Sequence, residues 1–216
     1  MKRIPVLLFS FFMLIALISC GQRSKKITQA KVEKDLSKYS QATFASGCFW
    51  CVEAAFESVK GVEEAVSGYS GGKEANPTYE MVGAHQTSHA ESVQVYYDPA
   101  VVSYATLLKV YFGSQDPTQV NGQGPDHGTP YRSLIFYSTP DEKMQAEKYK
   151  NEIQKNFSKP IDARIVPFEK FWPAEDYHQD YIVHNPGVPY VTMESIPRIK
   201  RFQKQFPELI KPDHKL

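Results

Sequence analysis

Cysteine is scarce in this 216-residue chain: there are three, at positions 20, 48 and 51, and none follows. So few exclude a disulfide-built scaffold. The only close pair, Cys48 and Cys51, would close too short a loop to take much entropy from an unfolded chain. An excess of charge of one sign is also missing. Lys and Arg number 25 against 24 Asp and Glu, so no electrostatic feature marks nucleic acid as a partner. No internal repeat or low-complexity tract occurs. The single long apolar run, from Ile4 to Leu17, falls short of the about 20 residues a comfortable transmembrane helix requires. What is present, 42% hydrophobic residues with 13 Tyr and 13 Phe, is the composition of a globular protein with one well-buried domain.

The apolar run follows Lys2 and Arg3, which suits the core of a secretory signal. It ends in Leu17-Ile18-Ser19-Cys20, which resembles a bacterial lipobox, where a small residue precedes a cysteine that is lipidated and becomes the first residue. Residues 1–19 are therefore expected to be a lipoprotein signal peptide, with Cys20 anchoring an exported protein to a membrane of the cell envelope. A plain signal peptide or an uncleaved anchor is the blander reading. Residues 20–40 are polar, with few apolar anchors, and read as a tether. The folded domain is expected over 41–216. With Cys20 committed to lipid, only Cys48 and Cys51 remain inside it, and the pair is there for chemistry.

Gln41–Ser46 reads as a short strand that ends at Gly47. Beyond it Phe49, Val52, Phe56 and Val59 recur at helical spacing, giving an amphipathic helix of about three turns closed by Gly61. A second strand, "EEAVSGY", leads into the glycine-rich loop "GYSGGKEANPTY". "HAESVQVYYDP" alternates cleanly, with Glu91, Val93, Val95 and Tyr97 on one face. Ser103 caps a helix with the stripe Tyr104, Leu107, Leu108, Tyr111 and Phe112. The long polar segment 113–130 has the character of a functional loop. "YRSLIFYS" is a strand, and Thr139-Pro140-Asp141-Glu142 is a capping box that opens a helix through Met144, Tyr149, Ile153 and Phe157. "DARIVPF" is a last strand, and the Pro-rich remainder reads as mostly irregular. The order contains a β-α-β-β-α-β unit, so the fold class is α+β, a two-layer sandwich with a ferredoxin-like core and a long irregular C-terminal region.

Cys48 sits where a strand turns through Gly47 into a helix. Exposed N–H groups and the helix dipole there favour a thiolate, so its pKa is expected below that of a free cysteine. Cys51 lies one turn later, within reach of anything formed on Cys48. Glu91 shares a face with Val93 and Val95, which places a carboxyl toward the core, where it resists ionisation and becomes a proton donor. A strand end reaching solvent is the plainer account of Glu91. His85 and His89 look like loop residues. Together with the cysteines they could be drawn as a zinc site, but the gap between the pairs is far from finger spacing. A general thiol–disulfide oxidoreductase would also place C-x-x-C at a helix start, although with Trp before the first cysteine rather than inside the pair.

"GCFWCVEAAF", "GYSGG", "NPTYE", "HAESVQVYYDP", "DHGTPYRSLIFY" and "PAEDYHQDY" stand in collinear order from about Gln41 to Asn185. Together they closely resemble the peptide methionine sulfoxide reductase A family. The resemblance implies reduction of methionine S-sulfoxide, peptide-bound or free, with no cofactor or metal. Cys48 would be the nucleophile, and Phe49 and Trp50 the apolar pocket for the substrate methyl group. Glu91 would be the acid, hydrogen-bonded by Tyr79 and Tyr131, and Asp126 would help hold the site and the substrate backbone. A cysteine resolves the resulting sulfenic acid to a disulfide, which a thioredoxin-like dithiol donor reduces. The family often places that cysteine near the C-terminus. Here none follows Cys51, which leaves Cys51 as the intramolecular resolver. "YHQDY" matches the family and reads as a structural segment closing a loop over the site.

Overall fold

Alternation along the first strand, β1 (Ser40–Ala45), decides how the molecule is layered. Ala42 and Phe44 enter the main core, whereas Ala45 packs on the opposite side of the sheet. The structure, a computed structural model, describes residues 34–215. The signal segment 1–19, Cys20 and most of the tether therefore lie outside the described residues.

After β1 come α1 (Phe49–Glu57), β2 (Val62–Ser70), α2 (Tyr79–Gly83), β3 (Ala90–Tyr97) and α3 (Tyr104–Gly113). A two-residue hairpin, β4 (Gly122–Gln123) with β5 (Asp126–His127), leads to β6 (Leu134–Tyr137), α4 (Pro140–Gln154), β7 (Arg164–Pro167) and β8 (Phe171–Pro173). The described residues form one six-stranded sheet in the order β7-β6-β1-β3-β2-β8. Its inner four strands are antiparallel throughout, with α1 and α3 as the two crossovers. That is the split β-α-β-β-α-β arrangement expected from the sequence. β7 joins parallel to β6, and β8 antiparallel to β2.

The core lies between α1, α3 and the sheet. Phe44 stacks on Phe56 at 5.0 Å between ring centroids, and Tyr111 and Phe112 of α3 extend the aromatic layer to Tyr149 of α4. Val93 and Val95 of β3 are completely buried in it. Because β3 is a central strand, Glu91, two residues earlier on the same face, enters the same layer.

Several boundaries differ from the sequence reading. α1 stops at Glu57 with Ser58 as its cap, and Gly61 (φ +84°) instead turns the chain into β2, where a Cβ would lie 2.8 Å from Val102. α2 escaped the periodicity because it is five residues long; Thr78 caps it by accepting from the Met81 N–H. The capping box at Thr139 and Glu142 forms as read, but α4 ends before Phe157 and leaves Met144 exposed, so Ala146, Tyr149 and Ile153 carry its inner face.

The C-terminal region is irregular up to Val188, apart from β8, a 3-10 turn at Asp176–His178 and the short α5 (Tyr181–His184). It then departs from the reading. A π-helical turn (Val191–Ser195) runs directly into α6 (Ile196–Gln205), with Pro197 near the start, where a missing N–H costs little. Arg198 of α6 donates to the carbonyls of Ser114 and Ser46, which fixes this helix against the ends of α3 and β1.

Candidate active site

Gly47 has a φ of +78°, and a Cβ there would sit 2.4 Å from Gln123 Cβ, so the turn between β1 and α1 requires glycine. The turn delivers Cys48 as the N-cap of α1. Its carbonyl accepts from the N–H groups of Cys51 and Val52, closing the first turn and bringing Cys51 beneath it. Neither thiol is in a disulfide, and both are buried. Cys51 Sγ lies 3.2 Å from Ser195 Oγ of the π turn, its hydrogen-bond partner.

Glu91 is 2% exposed, and its carboxylate accepts from the Phe49 N–H at 2.9 Å. Burial raises its pKa to about 8; the Phe49 hydrogen bond opposes the shift, and the charges of Asp126 and Cys51 add to it. A carboxyl beside the helix start that stays protonated at neutral pH is what the strand alternation implies.

The expected lowering of the Cys48 pKa does not hold. Burial raises this thiol well above the ordinary value, and its contact with Cys51 and the charges of Cys51, Glu91 and Asp126 raise it further. A helix start favours a thiolate through its free N–H groups, but Glu91 has taken that of Phe49. The contact between the two thiols acts on them in opposite directions. The Cys48 hydrogen bond, the Arg198 charge and Ser195 bring Cys51 down to about 6 against its burial.

Of the site residues named from the sequence, Cys48, Phe49, Trp50, Tyr79, Glu91, Asp126 and Tyr131 line one cavity of about 260 Å³, and Tyr181, Val188 and Tyr190 complete it. Cys51 instead lines a neighbouring cavity of about 310 Å³, walled by the Arg198 face of α6. Of all these lining residues only Tyr190 belongs to both cavities.

Trp50 stacks on Tyr181 at 3.7 Å, nearly parallel, and donates through Nε1 to His178 Nδ1 at 3.1 Å. Phe49 packs against Tyr79 and His178. These rings make one wall apolar. The segment "YHQDY" thus does more than close a loop, since Tyr181 is itself part of the pocket. His178 accepts from Trp50 at Nδ1, and burial lowers its pKa, so it is neutral.

The resemblance places Tyr79 and Tyr131 in hydrogen bonds to Glu91, and the structure differs. Neither hydroxyl bonds Glu91, whose polar partner is Phe49 N–H. Both rings line the cavity, and burial followed by the Glu91 charge raises both phenols, that of Tyr79 to about 12. Asp126 accepts from Tyr190 Oη at 2.5 Å. His89 is buried with Nδ1 accepting from Gly72 N–H and Nε2 bonded to the Glu74 carbonyl, so its ring nitrogens are committed to the "GYSGG" loop rather than to the cysteines.

Sequence reasoning missed Tyr181, Tyr190, Ser195 and Arg198. Tyr181 lies in the segment that reads as structural, and the others lie in the Pro-rich stretch that reads as irregular, although Ile196, Ile199 and Phe202 there recur at helical spacing.

A cysteine at a helix start, a buried protonated carboxyl beside it and a second thiol one turn on define a thiol-dependent reductase with its own proton donor. Comparison with known proteins makes this specific. The family model described as peptide methionine sulfoxide reductase matches residues 40–210. The peptide methionine sulfoxide reductase MsrA 2 of Synechocystis sp. is 46% identical over 174 residues, covering 79% of this chain and 81% of its own. Mxr1 of Saccharomyces cerevisiae in reduced form superimposes with a TM-score of 0.68 at 34% identity, covering 72% of this chain and 91% of that one. Mxr1 in complex with Trx2 gives a TM-score of 0.50 at 25% identity, over 70% of this chain and 91% of the other. The chain belongs to the peptide methionine sulfoxide reductase family, and its activity is the thiol-dependent reduction of methionine sulfoxide.

Proposed function

We propose that Cys48 attacks the sulfur of methionine S-sulfoxide while Glu91 protonates the departing oxygen, and that Cys51 then closes a disulfide that a thioredoxin-like dithiol protein reopens. The observation that carries this reading is the buried Glu91 carboxyl, bonded to the N–H of the residue after Cys48 and lining the same cavity. Sulfoxide oxygen leaves poorly until protonated, so a neutral acid beside a thiolate is what the reaction requires.

The steps balance. The Cys48 thiolate and the Glu91 carboxylic acid convert the sulfoxide into methionine, leaving a sulfenic acid on Cys48 and a carboxylate on Glu91. The Cys48 thiolate forms when its proton passes to Cys51. Cys51 sulfur then displaces the sulfenic oxygen as water, forming the disulfide, and two electrons from the donor restore both thiols. Phe49 and Trp50 hold the methyl group, with Tyr181 completing the apolar wall. Tyr79 and Tyr131 supply hydroxyls to the oxygen, and Asp126 with Tyr190 holds the opposite side. The donor assignment is supported by the solved pairing of Mxr1 with Trx2.

The same proposal puts residues 41–216 in the cell envelope as the catalytic domain, joined by the 20–40 tether to a lipid on Cys20, with residues 1–19 removed as a signal peptide. Its support is the apolar run and the Leu17–Cys20 pattern. The catalytic reading is tested by single-turnover reduction of the two sulfoxide epimers. The S form is expected to yield methionine and the R form to persist; equal consumption of both would contradict the assignment.

A further inference from the structure

Cys51 is surrounded by more structure than a thiol awaiting a partner requires. Ser195, which is completely buried, ends the π turn and accepts from the Cys51 thiol at 3.2 Å, and the same hydroxyl donates to the sulfur once it is a thiolate. The wider π turn sets this side chain inward just before α6 resumes ordinary winding. One turn along, Arg198 lines the same cavity as Cys51. Its Nε donates to the Ser114 carbonyl at 2.6 Å and its Nη2 to the Ser46 carbonyl at 3.0 Å, so the guanidinium is fixed in place.

We propose that Ser195 and Arg198 are positioning residues that hold Cys51 sulfur as a thiolate, so that it attacks when the disulfide closes and leaves when the disulfide reopens, with the donor sulfur bonding Cys48. This rests on the reading of Cys51 as resolver. When Cys51 attacks the Cys48 sulfenic acid, the thiolate is the reactive form, the proton it gives up leaves with the sulfenic hydroxyl as water, and a hydroxyl donor and a cation beside it keep that form populated at neutral pH. On regeneration, the donor thiolate attacks Cys48 Sγ, the S–S bond breaks, and its electron pair departs on Cys51. The second donor thiol then displaces Cys48 from the mixed disulfide. The better-stabilised thiolate leaves faster, which is why the attack falls on Cys48.

Cys48 on the same helix supports this state through its thiol hydrogen bond until it becomes the sulfenic acid. Asp126 from β5 opposes it, Glu91 from β3 and the Tyr190 phenol are neutral or negative when they titrate, and Asp116 and Glu194 line the cavity. Arg201 lines that cavity at its exposed side, so Arg198 is the anchored cation there.

The test follows one turnover of the full-length protein by rapid quench, scoring methionine and thiols separately across pH. Ser195→Ala and Arg198→Lys are expected to give the full methionine burst. Disulfide closing at pH 7 slows, and its pH midpoint moves up by about one unit in Ser195→Ala, the scale of one hydrogen bond to a charged group. Lysine, which retains the charge, restores more of the midpoint than Arg198→Gln. An unchanged midpoint in Ser195→Ala would overturn the proposal, whether closing keeps its rate or both steps slow together, as a purely structural defect would make them. Failure of the resolver reading looks different: wild-type protein would finish its turnover with Cys51 still titrating as a thiol.

Discussion

Glu91 carries the account at the scale of single residues. Its pKa of about 8 arises first from burial, and the Phe49 N–H opposes the shift without cancelling it. Glu91→Gln keeps the shape and the hydrogen-bond acceptor but removes the proton. The methionine-forming step is expected to slow by roughly 10² to 10⁴ with the fold intact, measured by quench flow beside circular dichroism. An unchanged rate would remove Glu91 from the mechanism. This residue was legible in the sequence because strand alternation is rigid: a carboxyl in register with Val93 and Val95 had to enter the core. The state of Cys48 was not legible. Its place at a helix start argues for a low pKa, yet which N–H groups remain for it depends on Glu91, 43 positions away in sequence and bonded to its neighbour in space.

At the scale of elements, α1 carries an acidic side that matters for stability. Glu53 is buried and raised to about 9, first by burial and then by Glu57; Glu57 is raised to about 8, by burial and then by Asp180. A carboxyl whose pKa is raised on folding binds its proton more tightly in the folded state. Its contribution is complete below the unfolded value near 4.5 and declines as pH climbs toward 8 to 9. Glu74, lowered to about 2 mainly by hydrogen bonds from Ser88, titrates with the opposite sign, but only below its unfolded value. Thermal stability should therefore fall from pH 6 to pH 9. Glu53→Gln should flatten that slope and raise Tm at pH 9 by about 2–8 °C by calorimetry. A wild-type Tm that rises over the same interval would contradict the assignment. The helix itself was plain from the spacing of Phe49, Val52 and Phe56. α6 was not, because prolines at 189, 197 and 207 suggest broken chain, and only the placement of Pro197 in the first turn makes a helix possible there.

Across the whole molecule, the order of strands and helices was enough to set the central sheet, since the β-α-β-β-α-β unit leaves few ways to pair. What the order could not supply is the return of the chain after β7. β8 covers the free edge of β2, Lys211 N–H bonds the Ser58 carbonyl at the end of α1, and α6 brings Arg198 beneath the catalytic turn. Such long-range closure leaves no local pattern in sequence. The envelope anchor is likewise a property of the full chain. Mass spectrometry of the mature protein is expected to find acyl groups on Cys20, more than one because a single chain gives only marginal attachment; an unmodified terminus would contradict it. The central claim, that Cys48 is the nucleophile and Cys51 its resolver, is tested most directly by titrating thiols after one turnover of wild-type and Cys51→Ser proteins. The account predicts that wild type loses both thiols of the folded domain to one disulfide, while Cys51→Ser reduces one equivalent and stalls with a sulfenic acid on Cys48. Sustained wild-type turnover by Cys51→Ser with a dithiol protein as reductant would contradict it.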